Sequence, residues 1–422
     1  MSTRRRLAAF ARDLRGNEPP QPPPSVVRPP SAGGGLREPL HVAPRASGMG
    51  DYRINLLVAS AAPGSAFGGV QTAIDLFRAL AGADVRRRII SLDPLEPAAI
   101  EAFPDFRPVA AGDDPDDRAQ LVSIAPPDAE TIPVGPNDTF IATFWPTAAF
   151  ALEVRRWQAA TFGRAPAWFV YLIQDFEPAF YPRSAQHVLA RATYDAEQST
   201  IAIFNTTLLR DDFHATGIRF AAEFSFEPRL ASPLRVLPLR PAAVRSRTIF
   251  VYGRPSKPRN AFPFIVDGLR AWRASYLDAG RWSVVSAGEA HVDIDLGGGV
   301  TMHSLGKLDL ATYAGLLREG AIGVSLMVSP HPSYPPLEMA QLGLLVLTNR
   351  FGAKDLSTWH TNITSLDAFT VDSLGADLAE LCRRFDSDST IGDRGRLLRP
   401  DYLDDGPQFP FADKIMALLR EG

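Results

Sequence analysis

Positively charged side chains cluster directly after one predicted strand in the second half of the chain. Arg254, Lys257 and Arg259 follow Gly253 within a few positions. Cations at a turn from strand to helix, together with the N–H groups of the helix start, are typical of diphosphate binding. Lys307, in a loop after another predicted strand, adds a further positive charge. We expect Arg254 to contact phosphate most directly; the alternative is that these charges are simply solvated.

A polar, proline-rich segment, residues 329–340, runs into the start of a later predicted helix. Glu338 lies just inside that helix, where the helix dipole stabilises a negative charge. The two oxygens of its carboxylate can accept both hydroxyl hydrogen bonds of a ribose. The alternative is that Glu338 only stabilises the helix N-terminus, which is worth about 0.3–1 kcal/mol.

Two segments in the first half of the chain offer groups that suit a sugar. Gly68 and Gly69 enter the first predicted helix, and glycine lets a backbone come close to a ligand. Their pattern is not GxGxxG, so it predicts no dinucleotide site, and a tight turn without a ligand is the alternative. Gln174, Asp175 and Glu177 follow a buried strand among aromatic residues, and carboxylates accept hydrogen bonds from sugar hydroxyls. The alternative is a helix N-cap at Asp175 together with local packing.

Alternating strands and helices must position these segments. Near-continuous apolar runs predict strands that are covered on both faces. Apolar residues that recur with the helical period of about 3.6 residues predict the helices between them. Two successive sets of this alternation predict an α/β fold of two Rossmann-like, doubly wound domains facing a cleft. The strands are predicted at residues 53–60, 88–91, 138–144, 167–173, 200–204, 247–252, 282–287, 300–303, 322–327 and 344–348, and the helices at 70–80, 148–157, 206–216, 261–276, 309–320, 336–342 and 410–420.

A proline-rich link at Pro233, Pro238 and Pro241 indicates the domain boundary. We predict a first domain over residues 51–240, a second over 241–405, and a C-terminal helix within 406–422 that packs back on the first domain. Residues 1–50 are arginine-, proline- and glycine-rich, which predicts a disordered leader because too little apolar surface can be buried to offset the ordering entropy. This basic arm is either a plain solvated tail or a peripheral contact to a partner or an anionic membrane.

Composition excludes several classes of function. The formal charge of -3 over 422 residues gives no global attraction to nucleic acid. The single cysteine, Cys382, cannot form an internal disulfide, and no Cys/His spacing indicates a metal site. No apolar run approaches the ~20 residues of a membrane helix, and the start lacks the apolar segment of a secretory signal. We therefore expect a cytoplasmic protein, at the inner face of the membrane if the basic arm contacts lipid.

The order of these segments resembles the GT-B glycosyltransferases of family 4, and within them the WsaF-type bacterial rhamnosyltransferases. The resemblance covers residues 51–422 and is most specific over residues 306–349. It is carried by the motifs QDFEPAFYP, VYGRPSKPRNAF and HPSYPPLEMA. It implies a GT-B fold with an acceptor-side first domain and a second domain that binds a nucleotide sugar. It also implies a glycan or lipid-linked glycan acceptor and no cofactor besides the nucleotide-sugar co-substrate.

The resemblance assigns roles to individual residues. Arg254 and Lys307 would hold the diphosphate of the donor. Tyr334 and Glu338 would lie by the nucleoside and its ribose. Gly69 would lie at the junction between donor and acceptor. The placement of the residues at strand ends adds Gly253 and Lys257 to the expected donor site, and Gly68, Gln174, Asp175 and Glu177 to the acceptor side or the sugar pocket.

Two positions depart from the common family pattern. Pro330 stands where that pattern has a second glutamate that contacts sugar hydroxyls, and Gln174 stands about where it has a histidine near the C6 hydroxyl. Both are compatible with a 6-deoxy sugar, so the resemblance implies retaining transfer of L-rhamnose from dTDP-L-rhamnose to a glycan of the bacterial surface. The alternatives are another nucleotide sugar or a catalytically inactive scaffold. An epimerase or dehydrogenase would need a dinucleotide loop and a Tyr-x-x-x-Lys pair, which the sequence lacks.

Overall fold

The computed structural model describes residues 42–62, 68–82, 85–125, 130–195, 199–235 and 245–421. These residues form two compact units: the first runs up to Phe226 and resumes at Asp405, and the second is Glu227–Asp404. The boundary between the two units therefore lies between Phe226 and Glu227, whereas the proline-rich link led us to expect it near residue 240. Residues 1–41 of the predicted leader, most of the first glycine loop, and Pro238 and Pro241 of the link lie outside the described residues.

The first unit contains a parallel sheet of eight strands among its described residues. The strands of the unit are β1 (Ala43–Ala46), β2 (Arg53–Val58), β3 (Arg86–Ser91), β4 (Arg107–Val109), β5 (Ala119–Ser123), β6 (Thr131–Val134), β7 (Asp138–Ala142), β8 (Phe169–Ile173), β9 (Thr200–Asn205) and β10 (Ala222–Phe226). Of these, β1 and β6 form a separate pair. Its helices are α1 (Gly68–Leu80), α2 (Pro97–Glu101), α3 (Trp145–Phe162), α4 (Ala185–Ala192) and α5 (Thr207–Ala215), with a 3-10 turn at Glu177–Phe180. The order of the large sheet is β10-β9-β8-β7-β2-β3-β5-β4.

The central strands explain the continuous apolar runs of the sequence. Every residue of β2, β7, β8 and β9 is buried, because helices cover both faces of the sheet. A parallel sheet covered in this way carries its ligand-binding groups beyond the carboxyl ends of the strands. The residues that follow β2, β7 and β8 therefore lie where the first unit would bind a ligand.

Strand β1 is a correction to the predicted leader. It lies within residues 1–50, yet it pairs in parallel with β6, with Ala43 opposite Thr131. The neighbouring Val42 is buried in the apolar core of the first unit. The ordered chain therefore extends further toward the N-terminus than composition indicated.

The second unit contains a sheet of seven strands in the part of the chain that is described. Its strands are β11 (Thr248–Gly253), β12 (Ser283–Gly288), β13 (Ile294–Gly297), β14 (Val300–Ser304), β15 (Ile322–Val324), β16 (Leu345–Asn349) and β17 (Ile363–Leu366). Its helices are α6 (Ser232–Arg235), α7 (Phe262–Ser275), α8 (Leu310–Glu319), α9 (Pro335–Gln341) and α10 (Val371–Ser387), with 3-10 turns at Pro258–Asn260, Leu277–Arg281, Leu356–Thr358, Ile391–Arg394 and Pro400–Leu403. The strand order is β13-β14-β12-β11-β15-β16-β17, and only the edge strand β13 runs antiparallel.

The last helix, α11 (Ala412–Glu421), belongs to the first unit. Ile415 and Leu419 are buried in the same apolar cluster as residues of β2 and α1. The preceding Phe411 stacks on Phe224 of β10, with ring centroids 5.0 Å apart. Among the described helices, none is both long and apolar enough to cross a bilayer.

Candidate functional site

Strands β14, β12, β11 and β15 lie side by side in the second unit and end at the same edge of its sheet. Backbone hydrogen bonds join their ends: Gly288 donates to the carbonyl of Gly306, and Glu289 donates to that of Gly253, each at 2.9 Å. The predicted cationic loops after β14 and β11 are thereby held on either side of β12. This edge brings together the donor-site residues that the sequence predicted in the second half of the chain.

Glycine is required at two of these strand ends. A Cβ atom on Gly253 would lie 2.0 Å from the Oγ of Ser286. Gly288 has a φ of 138°, and a Cβ there would lie 2.5 Å from the carbonyl oxygen of Gly253. The backbones of β11 and β12 consequently approach each other closely, and Arg254 emerges directly beside this contact.

Arg254 is oriented by neighbouring side chains. Its Nε donates to Oε1 of Glu289 at 3.2 Å, and the hydroxyl of Tyr252 is also hydrogen-bonded to it. Glu289 accepts further hydrogen bonds from the amide and hydroxyl of Ser256, at 2.9 and 2.7 Å. Burial opposes the charge of Glu289, but the bonds from Ser256 and Arg254 lower the pKa of its carboxyl below the ordinary value. The guanidinium is thus held at the strand end before any ligand arrives.

Two lysines extend this cationic edge. The amide of Lys257 donates to the carbonyl of Arg254 at 3.0 Å, which closes a tight turn and keeps the two residues together. Lys307 is exposed in the loop between β14 and α8 and follows Gly306, whose φ is 67°. Both lysines therefore lie on loops at the carboxyl edge of the sheet, where long flexible side chains can reach an anionic ligand.

Glu338 is held by a tyrosine from a different helix. The hydroxyl of Tyr313, on α8, donates to Oε2 of Glu338 at 2.9 Å. Burial raises the pKa of Glu338 to about 7, against the opposing effect of that hydrogen bond. Tyr334 caps the same helix, and its carbonyl accepts the amide of Glu338 at 3.0 Å. Above about pH 7, the ionised carboxylate keeps Oε1 as an acceptor for a ligand hydroxyl.

The raised pKa of Glu338 predicts a pH-dependent stability. In the unfolded chain this carboxyl ionises near its ordinary value of 4.5, whereas the folded protein retains the proton until about pH 7. The folded state should therefore lose about 3 kcal/mol relative to a Glu338→Gln variant as pH rises through this window. Urea unfolding of both proteins across pH 4.5–8 measures the difference. A difference that stays constant with pH would contradict the raised pKa.

The predicted residues of the first unit also meet at one edge of their sheet. The side-chain amide of Gln174 donates to the carbonyl of Gly69 at 3.1 Å, which joins the end of β8 to the start of helix α1. A Cβ on Gly69 would lie 2.8 Å from Oε1 of Gln174, so a larger residue there would displace the Gln174 side chain. Gly68 opens helix α1 beside it.

The two carboxylates of that loop have structural partners. Asp175 and Glu177 are each only 5% exposed. Oδ1 of Asp175 accepts the amide of Phe176 at 2.9 Å, and Oε2 of Glu177 accepts the first amide of helix α3, that of Trp145, at 2.7 Å. Glu177 therefore stabilises the start of α3. Their contribution to an acceptor site stays a prediction.

Sequence reasoning missed Glu289 and Tyr313. Glu289 follows Gly288 at a strand end, just as Arg254 follows Gly253, and this parallel is a signal that could have identified it. Tyr313 gives no local signal, because its partner Glu338 lies on a separate helix. Across the described ranges, no three His, Cys, Asp or Glu side chains are grouped so as to hold a metal ion.

The two parallel-sheet units define the GT-B fold class. The structure resembles an α,α-trehalose 6-phosphate synthase from Burkholderia multivorans, with a TM-score of 0.55 and 9% identity over 88% of this chain and 99% of that one. It also resembles WaaG, a glycosyltransferase involved in lipopolysaccharide biosynthesis, with a TM-score of 0.53 and 11% identity over 87% of this chain and 100% of that one. At such identities the likeness demonstrates a shared fold.

Sequence similarity identifies the family. The WsaF N-terminal domain matches residues 53–207, and the WsaF C-terminal domain matches residues 247–379. The chain belongs to the WsaF-type GT-B glycosyltransferases. It is also 34% identical over 181 residues to the O-antigen biosynthesis protein RfbC of Myxococcus xanthus. That match covers 42% of this chain but only 14% of the relative.

Proposed function

We propose that this protein transfers a sugar from a nucleotide-sugar donor to a glycan acceptor in the synthesis of a bacterial surface polysaccharide. The observation that carries the proposal is the edge of the second sheet: Arg254, held by Glu289, follows β11, and Glu338, held by Tyr313, lies in the helix that follows the neighbouring strand β15. A cation and a carboxylate fixed in this way suit the diphosphate and the ribose of one ligand. Family membership and the similarity to an O-antigen biosynthesis protein support the same activity.

In this proposal the second unit binds the donor. Arg254, Lys257 and Lys307 contact the diphosphate, and Gly253 lets the backbone approach it closely. The ribose hydroxyls bond to Glu338, and Tyr334 lies beside the nucleoside. The groups on the acceptor side come from the first unit: Gly68, Gly69, Gln174, Asp175 and Glu177.

The proposed reaction retains the configuration of the sugar. The acceptor hydroxyl oxygen forms a bond to the anomeric carbon on the face from which the diphosphate leaves. The leaving nucleoside diphosphate takes the electron pair of the broken C–O bond, and one of its phosphate oxygens accepts the hydroxyl proton. No protein nucleophile is needed, because the cations of the second unit stabilise the departing negative charge and both substrates are held in position.

The finer assignment is dTDP-L-rhamnose as the donor, with a glycan or lipid-linked glycan as the acceptor at the cytoplasmic face of the membrane. It is supported by Pro330 and Gln174, neither of which offers the charged or basic group that the common family pattern places there. A non-catalytic scaffold that keeps the fold is the alternative.

Thermal unfolding against a panel of nucleotide sugars tests the proposal. A ligand that binds only the folded protein stabilises it by about 2.7 kcal/mol at 100 times its dissociation constant. We expect at least one nucleotide sugar to raise the unfolding midpoint, and its nucleoside diphosphate to be released faster when an acceptor glycan is added. Binding without such release would indicate the scaffold. No stabilisation by any nucleotide sugar would refute the proposed function.

A further inference from the structure

His331 occupies an unusual position in the loop between β15 and α9. Its side chain is buried, with the residue only 7% exposed. The amide of Ser333 donates to its Nδ1 at 3.0 Å. A backbone amide can only donate, so Nδ1 must be the unprotonated nitrogen of the ring. In a neutral imidazole the proton then lies on Nε2.

The surroundings keep this ring neutral. Burial, followed by the nearby charges of Arg259 and Lys354, lowers the pKa of His331 to about 3. At neutral pH the ring therefore offers a single N–H, on Nε2. Within the described ranges, no protein group accepts that N–H. Nε2 does not belong to the fully buried side-chain atoms that lack a partner, so it reaches the surface of the loop, where an acceptor from outside the protein can bond it.

The loop that carries His331 is fixed in place. The amide of Val328 donates to the carbonyl of Arg259 at 2.7 Å, and Nζ of Lys354 donates to the carbonyl of Met327 at 2.6 Å. Ser333 has a φ of 68°, in the left-handed region that is unfavourable for a non-glycine residue. The loop leaves the sheet next to the strand that carries Arg254 and leads into the helix that carries Glu338. The direction of the Nε2–H is therefore set before a ligand binds.

We infer that the Nε2–H of His331 is a recognition group for the nucleotide-sugar donor and hydrogen-bonds one of its oxygen atoms. The inference rests on the proposed function, because it concerns the same edge of the sheet. A neutral N–H can bond either a hydroxyl of the transferred sugar or a phosphate oxygen, and the intact donor and its nucleoside diphosphate distinguish the two. His331 thus adds a specificity-determining residue to the cations and the carboxylate described above.

Two substitutions separate recognition from loop structure. His331→Asn keeps an acceptor close to Nδ1, so the bond from Ser333 can persist, but it removes the donor at Nε2. His331→Gln places an amide N–H near Nε2 but loses the acceptor for Ser333. If His331 binds the donor, the asparagine variant should lose about threefold to tenfold in affinity for the tightest-binding nucleotide sugar of the panel, and the glutamine variant should lose less.

The chain supplies a matched control in His360. This residue is 2% exposed, and its Nδ1 likewise accepts the amide two positions later, that of Asn362, at 3.0 Å. It precedes strand β17, at the opposite edge of the same sheet. His360→Asn should therefore affect the unfolding midpoint as His331→Asn does, without changing the affinity for any nucleotide sugar.

Calorimetric titration of the full-length protein and its variants measures their affinities for the intact donor and for its nucleoside diphosphate. Loss of affinity for the intact donor alone assigns the hydrogen bond to the sugar, and equal loss for the nucleoside diphosphate assigns it to a phosphate oxygen. A folded His331→Asn variant that binds both ligands as tightly as the wild type would overturn the inference alone. A wild type that binds no nucleotide sugar would overturn the proposed function and this inference together.

Discussion

Replacement of Arg254 by alanine should weaken binding of a nucleoside diphosphate by roughly ten- to a hundredfold, since a charge-assisted hydrogen bond contributes about 1.5–3 kcal/mol. The loss should be large because the guanidinium is already oriented by Glu289 and the hydroxyl of Tyr252. Little ordering entropy is then lost when phosphate binds. The nucleoside without phosphates should bind almost as before, because its proposed contacts are Tyr334 and Glu338. Calorimetric titration of dTDP and thymidine measures both effects.

Arg270→Ala is the matched control for this experiment. Arg270 also pairs with a carboxylate, that of Asp267, at 3.1 Å, but it is exposed on helix α7. Its removal should leave both affinities unchanged. Arg254→Lys should fall between wild type and alanine, because it keeps the charge and loses the planar fork. Equal losses of dTDP and thymidine affinity in Arg254→Ala would show that Arg254 does not contact the diphosphate.

The sequence predicts the centre of each sheet better than its margins. Strands such as β2 and β9 are buried on both faces, so each appears as one apolar run. Strand β1 does not: it is short and largely exposed, and it is ordered by pairing with β6, which lies far along the chain. Strand β10 is only partly buried along most of its length. Local composition cannot reveal an element that depends on a distant partner.

Long-range contacts also move the ends of predicted elements. Helix α3 begins at Trp145, three residues before the predicted start, because Glu177 accepts the amide of Trp145. The strand predicted at residues 322–327 ends at Val324. Beyond it, Asn349 and Lys354 bond the backbone of Met327 and draw the chain away from the sheet. In both cases a side chain remote in sequence determines the boundary.

The residues of the candidate site likewise fall into those that the sequence could predict and those that depend on contacts between distant segments. Placement at strand ends was enough to select Arg254 and Glu338, because the carboxyl edge of a parallel sheet follows from the order of elements alone. The residues that hold them, Glu289 and Tyr313, were not selected, since each acts through a contact between separate segments. Which nitrogen of His331 carries the proton could be determined only from the hydrogen bond that Nδ1 accepts from the amide of Ser333.

The sugar of the donor should be a 6-deoxy hexose, and dTDP-L-rhamnose should outcompete dTDP-glucose by roughly ten- to over a hundredfold. That range corresponds to about 1–3 kcal/mol for a hydroxyl that is buried without a partner. Pro330 is buried and has no carboxylate for sugar hydroxyls. The side-chain N–H of Gln174 is already bonded to the carbonyl of Gly69. A methyl group at C6 needs neither of these positions to supply a hydrogen bond, whereas the hydroxyl of glucose does.

Competition calorimetry and turnover with the two donors test this preference, and because the nucleotide is the same in both, they report on the sugar alone. Pro330→Glu supplies the missing carboxylate and should shift the preference toward dTDP-glucose, provided that its unfolding midpoint shows a folded protein. Arg254→Ala serves as the counterpart, since it should weaken both donors equally and leave their ratio unchanged. A wild-type preference for dTDP-glucose, or equal hydrolysis of both donors, would exclude the 6-deoxy donor. The diphosphate contacts of the second unit would still be tested independently, because they do not involve the sugar.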